Sequence, residues 1–123
     1  MRILWVGHNL AYPPVRGVLL RNYNLLREAS RQAEVYVVAF DQPASRPAGV
    51  SAEQCAEALR QFCEKVEWMP LSTGFLKSKK WLGVRGLFSR NPYDLNWMAS
   101  STMVSRLQQT LAETKFDVVH FDT

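Results

Sequence analysis

Two short segments hold the residues whose types and spacing can do chemistry. The first runs from Gly7 to Arg21 and contains His8, Tyr12, Gly17 and Arg21; the second is the end of the chain, with His120 and Asp122. Gly17 lacks a Cβ and opens a predicted helix. Backbone N–H groups there can approach an anion, aided by about half a positive charge at the helix end. The plainer alternative is a turn glycine with positive φ. Arg21, one turn further on, can pair with phosphate or carboxylate, or can be a solvated surface arginine. His8 follows the first strand by two residues, which suits a ligand contact or equally a surface loop histidine. Tyr12 offers an aromatic face, or packs against Pro13 and Pro14. Asp122 places a carboxylate at the end of the last strand, where it can also be only a polar cap. His120 reads as a packing residue at that strand's end.

The elements that must position these groups follow from periodicity. Ile3 to Val6 is an apolar run of strand formers bounded by Gly7, and predicts a buried parallel strand. The loop to Gly17 carries two prolines and cannot be helix. A first helix is predicted from Val18 to Arg31. Leu19, Tyr23, Leu26 and Ser30 share its inner face, Leu20 and Leu25 flank it, and the charged residues lie opposite. Glu34 to Phe40 is a second buried strand. Asp41 to Val50, with Pro43, Pro47 and Gly49, is a loop that borders the same crevice and is expected to be partly mobile. Ser51 and Gln54 form a capping box ahead of a second helix with Cys55, Leu59, Phe62 and Cys63 as its apolar stripe. Lys65 to Met69 is a third strand, stopped by Pro70. Thr73 to Arg90 predicts a helix broken at Gly83 and Gly86, and Asn91 to Asp94 a turn. Met103, Leu107 and Leu111 define a helix from about Trp97 to Thr114, and Val118 to Phe121 a fourth strand ending at Asp122.

This alternation predicts an α/β fold: a Rossmann-like parallel sheet of order 3-2-1-4, with right-handed crossovers and helices on both faces. The topological switch point then falls between strands 1 and 4. The Gly7–Gly17 loop and Asp122 would lie side by side there.

Composition narrows the function classes. The 123 residues suffice for one compact domain. No apolar run is long enough for a transmembrane helix, and the N-terminus has no signal-peptide pattern. Cys55 and Cys63, eight apart on one helix, are too far apart to bridge, and read as small core residues of a cytosolic protein. No cysteine–histidine spacing suggests a metal site. The net charge of +4 comes from one place: Thr73 to Arg90 holds five basic residues and no acid, leaving ten basic against eleven acidic elsewhere. Lys77, Lys79, Lys80, Trp81 and Arg85 in that stretch suit peripheral contact with an anionic membrane surface, or a solvated helical hairpin. No nucleic-acid module is recognisable, so nucleic acid is not an expected partner. The loop lacks the Gly-x-Gly-x-x-Gly fingerprint, and no Gly-Lys-Ser/Thr occurs, which argues against dinucleotide and ATP sites.

The block from Ile3 to Gly17, with Arg21-Asn22-Tyr23-Asn24-Leu25-Leu26, resembles the start of GT-B glycosyltransferases of family 4. Those of bacterial exopolysaccharide and surface-glycan assembly are the most similar. The resemblance continues at Glu34 to Phe40, Asn91-Pro92-Tyr93 and Phe116 to Asp122. It implies the N-terminal, acceptor-side Rossmann-like domain of such an enzyme, spanning residues 1–123 and truncated after about four strands. The donor-binding C-terminal domain, with its two glutamates eight apart, is absent from these residues. The complete enzyme would move a sugar from a nucleotide-sugar donor to a glycan or lipid-linked acceptor, retain anomeric configuration and use no metal or other cofactor. The fragment itself is expected to be inactive.

By the same resemblance Gly17 faces the donor diphosphate; the chemistry of their side chains then suits Arg21 and His8 to lining the cleft and Tyr12 to stacking on a sugar face. Relatives often end the fourth strand with His-x-His. Here the pair is His120 and Asp122, so an aspartate stands near the acceptor hydroxyl, where it can take the proton or orient the group. Val18 does not match the polar residue that many relatives carry after the glycine. A cytoplasmic location, on or near the inner membrane face, goes with this reading. The alternative is a stand-alone, non-catalytic Rossmann-like binding module. An uncovered sheet edge would favour pairing of the fragment as a homodimer.

Overall fold

In the computed structural model, residues 1–71 and 100–122 are described. Four parallel strands form the sheet: β1 (Arg2–Gly7), β2 (Glu34–Asp41), β3 (Lys65–Pro70) and β4 (Val118–Asp122). Their order is β3-β2-β1-β4, so the chain reverses direction of assembly at β1. This is a Rossmann-like α/β fold with three α-helices among the described residues: α1 (Gly17–Ala29), α2 (Ala52–Arg60) and α3 (Ser101–Glu113).

The two sheet faces carry separate cores. Alternate residues of β1 and β2, Trp5, Val35, Val37 and Ala39, join Leu26 of α1 and Ala52, Cys55, Ala56 and Leu59 of α2. The opposite faces of the same strands give Leu4, Val38 and Phe40, which meet Met69 and Met103, with Leu107 of α3 beside them. Parallel strands covered on both sides bury side chains of both parities, which is why β2 reads as an unbroken apolar run. Cys55 and Cys63 are buried and unbridged. Burial pushes the Cys63 thiol up to about 12, so both act as small apolar core groups.

The α2 cap is the one the sequence announces. The Ser51 hydroxyl accepts from the Gln54 N–H at 3.1 Å, and the Gln54 side chain accepts from the Ser51 N–H at 2.8 Å. Ser51→Ala is expected to lower stability by about 1 kcal/mol in urea unfolding; a change within error would mean that the first turn of α2 is held by its packing alone.

Two expectations are corrected. The helix predicted from Trp97 begins at Ser101, capped by the Ser100 hydroxyl, which accepts from the Met103 N–H at 3.2 Å. On α1, Leu20 and Leu25 are each 48% exposed, and the buried positions are Leu19, Asn22 and Leu26. A polar residue, Asn22, occupies the middle of the buried face and reaches Asp122 at the end of β4. The Asp41–Val50 loop contains a 3-10 turn (Pro43–Ser45) and carries the side-chain hydrogen bonds described below.

The two outer strands differ among the described residues. β3 presents Lys65, Glu67 and Pro70, with Lys65 paired to Glu67 at 2.7 Å. Charge and proline of this kind discourage strand addition. β4 presents Val118, Val119 and Phe121, all exposed, with Phe121 at 64%. Lys77, Lys79, Lys80, Trp81 and Arg85, the predicted broken helix from Thr73 to Arg90 and the Asn91–Asp94 turn lie outside the described residues. Among those described, no helix is long and apolar enough to cross a membrane.

Candidate functional site at the switch point

The site is built where β1 and β4 end together, with Gly7 opposite Asp122 in the register. Gly7 lets the chain leave the sheet sharply: a Cβ there would lie 3.1 Å from the Asn9 carbonyl and 3.4 Å from the Ala39 Cβ. Leu10 and Ala11 are then pulled into the α1–α2 core, which leaves His8 and Asn9 at the rim of the crevice. The β2 loop fastens them there. Gln42 Nε2 donates to the His8 carbonyl at 2.6 Å, Asn9 Oδ1 accepts from the Gln42 N–H at 3.4 Å, and Asn9 Nδ2 donates to Ser45 Oγ. His8 is thus held from behind by its own backbone.

Asp122 is the centre of the cluster. Its residue is 7% exposed, and a buried carboxylate requires partners. Arg21 Nη2 donates to Oδ1 at 3.2 Å and Asn22 Nδ2 donates to Oδ2. His8 Nδ1 lies 3.1 Å from Oδ2 and 3.4 Å from the Asp122 carbonyl. Both neighbours of Nδ1 are acceptors, so Nδ1 carries the hydrogen and donates. The neutral ring then bears its lone pair on Nε2. Among the described residues Nε2 has no hydrogen-bond partner, and the His8 side chain is 27% exposed.

The first turn of α1 faces the same end of the sheet. Its N-cap, Arg16, makes no side-chain cap, and no acid lies in that turn. The leading N–H groups therefore keep their hydrogen-bonding capacity and the positive end of the helix dipole. Gly17 does not have a positive φ, and a Cβ on it would meet nothing within 4 Å. The turn-glycine alternative is thereby removed; what the glycine leaves is open space above the helix end.

The structure brings His8, Arg21 and Asp122 into one connected cluster and sets Gly17 one turn from it. It does not bring Tyr12 in. That ring packs 6.0 Å from Tyr23, centroid to centroid, which in turn meets Phe62 edge-on at 5.5 Å. Tyr12 therefore lies on the α1–α2 side and lines a shallow groove with Val50, Gln54 and Glu57. The His120 ring lies against Trp5, its register partner, with ring centroids 4.1 Å apart and the planes tilted by 35°, while His120 itself stays exposed.

Two groups were not singled out by sequence. Gln42 gives no pattern. Asn22 does give one: it stands three residues after Leu19 and four before Leu26, a polar residue on the apolar stripe. The carboxylate at the end of β2 is also accounted for. Asp41 pairs with Arg46, whose Nε donates to the Val50 carbonyl at 2.6 Å. It is thereby turned into the loop and away from the ribose-binding role of a dinucleotide fold. Among the described residues no three His, Cys, Asp or Glu side chains are placed to hold a metal ion. Comparison with family models, curated proteins and solved structures yields no match.

Proposed function

We propose that this chain is the acceptor-side domain of a GT-B glycosyltransferase that moves a sugar from a nucleotide-sugar donor to a hydroxyl of a glycan or lipid-linked acceptor. The observation that carries the reading is the His8–Asp122 pair at the switch point, with Nε2 left over for a substrate. The resemblance of the Ile3–Gly17 block supplies the reaction class. In this reading Asp122, whose side chain is 3% exposed and whose two oxygens face Arg21, Asn22 and His8, holds His8 and does not reach the substrate proton. The acceptor hydroxyl gives its proton to His8 Nε2 as its oxygen bonds to the anomeric carbon on the face from which the diphosphate departs, and the bond from that carbon to the diphosphate oxygen breaks, so configuration is retained. The negative charge gathered on the leaving diphosphate is met by the first N–H groups of α1 and by Arg21, which is 57% exposed and so reachable.

A coding frame that continues past Thr123 into a second α/β domain with paired glutamates supports this reading. A stop codon there favours the non-catalytic module. Peripheral membrane contact through Lys77 to Arg85 rests on the sequence of that stretch alone. Self-association as a homodimer would use the β4 edge, where Val118, Val119 and Phe121 are open.

Gly17→Ala separates donor binding from folding. The added methyl meets no protein atom within 4 Å, and alanine is the better helix former by up to ~1 kcal/mol. The variant should melt no lower than the parent. Its methyl occupies the space a phosphate oxygen needs, so the intact enzyme should lose about tenfold in nucleoside-diphosphate affinity, about 1.4 kcal/mol, by calorimetric titration. Unchanged affinity would remove the α1 end from the donor site.

A further inference from the structure

We propose that Asn22 is the positioning residue of the site: its amide fixes the Asp122 carboxylate so that Asp122 in turn holds the His8 Nδ1–H and leaves Nε2 as the acceptor. The inference rests on the His8–Asp122 reading above and names a residue which that reading does not require. Asn22 is 1% exposed and stands in the middle of a helix. Asparagine is a poor helix former, and a buried amide is unfavourable unless it is hydrogen-bonded. A leucine at this position would complete the stripe of Leu19 and Leu26. The amide is instead used at both ends: Nδ2 donates to Asp122 Oδ2, and Oδ1 accepts from Arg21 Nε at 3.2 Å. Arg21 Nη2 closes the ring on Asp122 Oδ1. The direction of the amide is set by this ring, because a flip would bring its oxygen against the carboxylate and its NH2 against the guanidinium.

The two helix residues that hold Asp122 differ in permanence. Arg21 is more than half exposed and is the cation an arriving phosphate would draw away. Asn22 is sealed under it. When Arg21 turns to a ligand, Asn22 still holds Oδ2, the same oxygen that faces His8 Nδ1. The carboxylate then keeps its aim during binding, and the tautomer of His8 does not depend on whether the donor is present.

The tautomer is directly observable by long-range 1H–15N NMR of the imidazole in the 123-residue chain, at a pH where the ring is neutral. The parent is expected to show Nδ1–H. Asn22→Leu keeps the volume and removes the donor; the ratio of Nε2–H to Nδ1–H should rise about fivefold, the worth of one ordinary net hydrogen bond. Arg21→Gln, a change at an exposed position, should leave the ratio as in the parent. A parent ring in the Nε2–H form would overturn the His8–Asp122 reading itself. A parent in the Nδ1–H form with no change in Asn22→Leu would overturn only the role of Asn22. Should Asn22→Leu not give a folded backbone spectrum, Arg21→Gln decides: a shift there makes Arg21 the holder and refutes the proposal, and no shift sustains it.

Discussion

In the transferase proposed above, Asp122→Asn is expected to lower kcat about a thousandfold, within the range that loss of a positioned base produces, while the domain still folds. Three donors converge on the Asp122 carboxylate: Arg21 Nη2, Asn22 Nδ2 and His8 Nδ1–H. An asparagine there has one acceptor oxygen and one NH2. Whichever way the amide turns, its NH2 confronts a donor. With the NH2 in the Oδ2 position, His8 moves its hydrogen to Nε2 and loses the lone pair that the proposed reaction uses. With the NH2 in the Oδ1 position, exposed Arg21 turns away and His8 Nδ1–H is left on a neutral amide oxygen, which no longer stabilises the imidazolium formed when Nε2 takes the proton. KM for the donor should change far less than kcat, because Arg21 and the α1 N-terminus are untouched. The buried mismatch should also lower stability by about 1–3 kcal/mol, visible in a thermal melt but short of unfolding a domain of ordinary stability. His8→Asn should cause a loss in kcat of the same order, and the double variant should be little worse than either single one, since the two side chains act as a unit. Near-parental turnover in Asp122→Asn would take the pair out of the mechanism.

Leu26→Ala is expected to give the largest stability loss in the α1–α2 core, about 3 kcal/mol by urea unfolding. Leu26 is completely buried and belongs to the cluster that joins α1 to β1, β2 and α2. Removing three carbons there loses transfer energy and leaves a cavity, because the strands behind it cannot close up. A protein of this size has about 5–15 kcal/mol in all, so the loss is a large share. It also has a functional consequence, since α1 carries Gly17, Arg21 and Asn22 and positions them only while it is seated on the sheet. Leu25→Ala, one residue away on a half-exposed position, should stay within about 0.5 kcal/mol of the parent. Equal losses in the two variants would mean that α1 is seated differently.

The legible and illegible parts of the fold divide along physical lines. Period-2 and period-3.6 patterns report which side of an element meets the core. They found β1, β2, α2 and the Ser51–Gln54 cap, and they found α1 to within two residues at each end. They failed where an inward-facing residue is polar. Asn22 breaks the apolar stripe of α1 and was passed over; Tyr23, drawn on that stripe, does pack on the core, while the flanking Leu20 and Leu25 stand about half exposed. Tyr12 is a different case: an aromatic residue in a proline-rich loop has the composition of a ligand contact, and only the tertiary structure sets its ring against Tyr23, away from His8 and Asp122.

By itself the sequence determined that this chain alternates strands and helices, that its sheet reverses between strands 1 and 4, and that Gly17 and Asp122 stand at the ends of elements pointing the same way. Those are consequences of local periodicity and of chain handedness, and both are written in short windows of residues. Only the tertiary structure decided which atoms meet. His8 and Asp122 are 114 residues apart, and Arg21 and Asp122 are 101 apart. No local pattern encodes a distance across such a separation. The direction of the His8 hydrogen is settled by acceptors on another strand, and the aim of Asp122 by an amide on a helix. The chemistry offered by the site, a histidine that presents Nε2 because a buried carboxylate holds Nδ1–H, exists only once β1, α1 and β4 have been brought together.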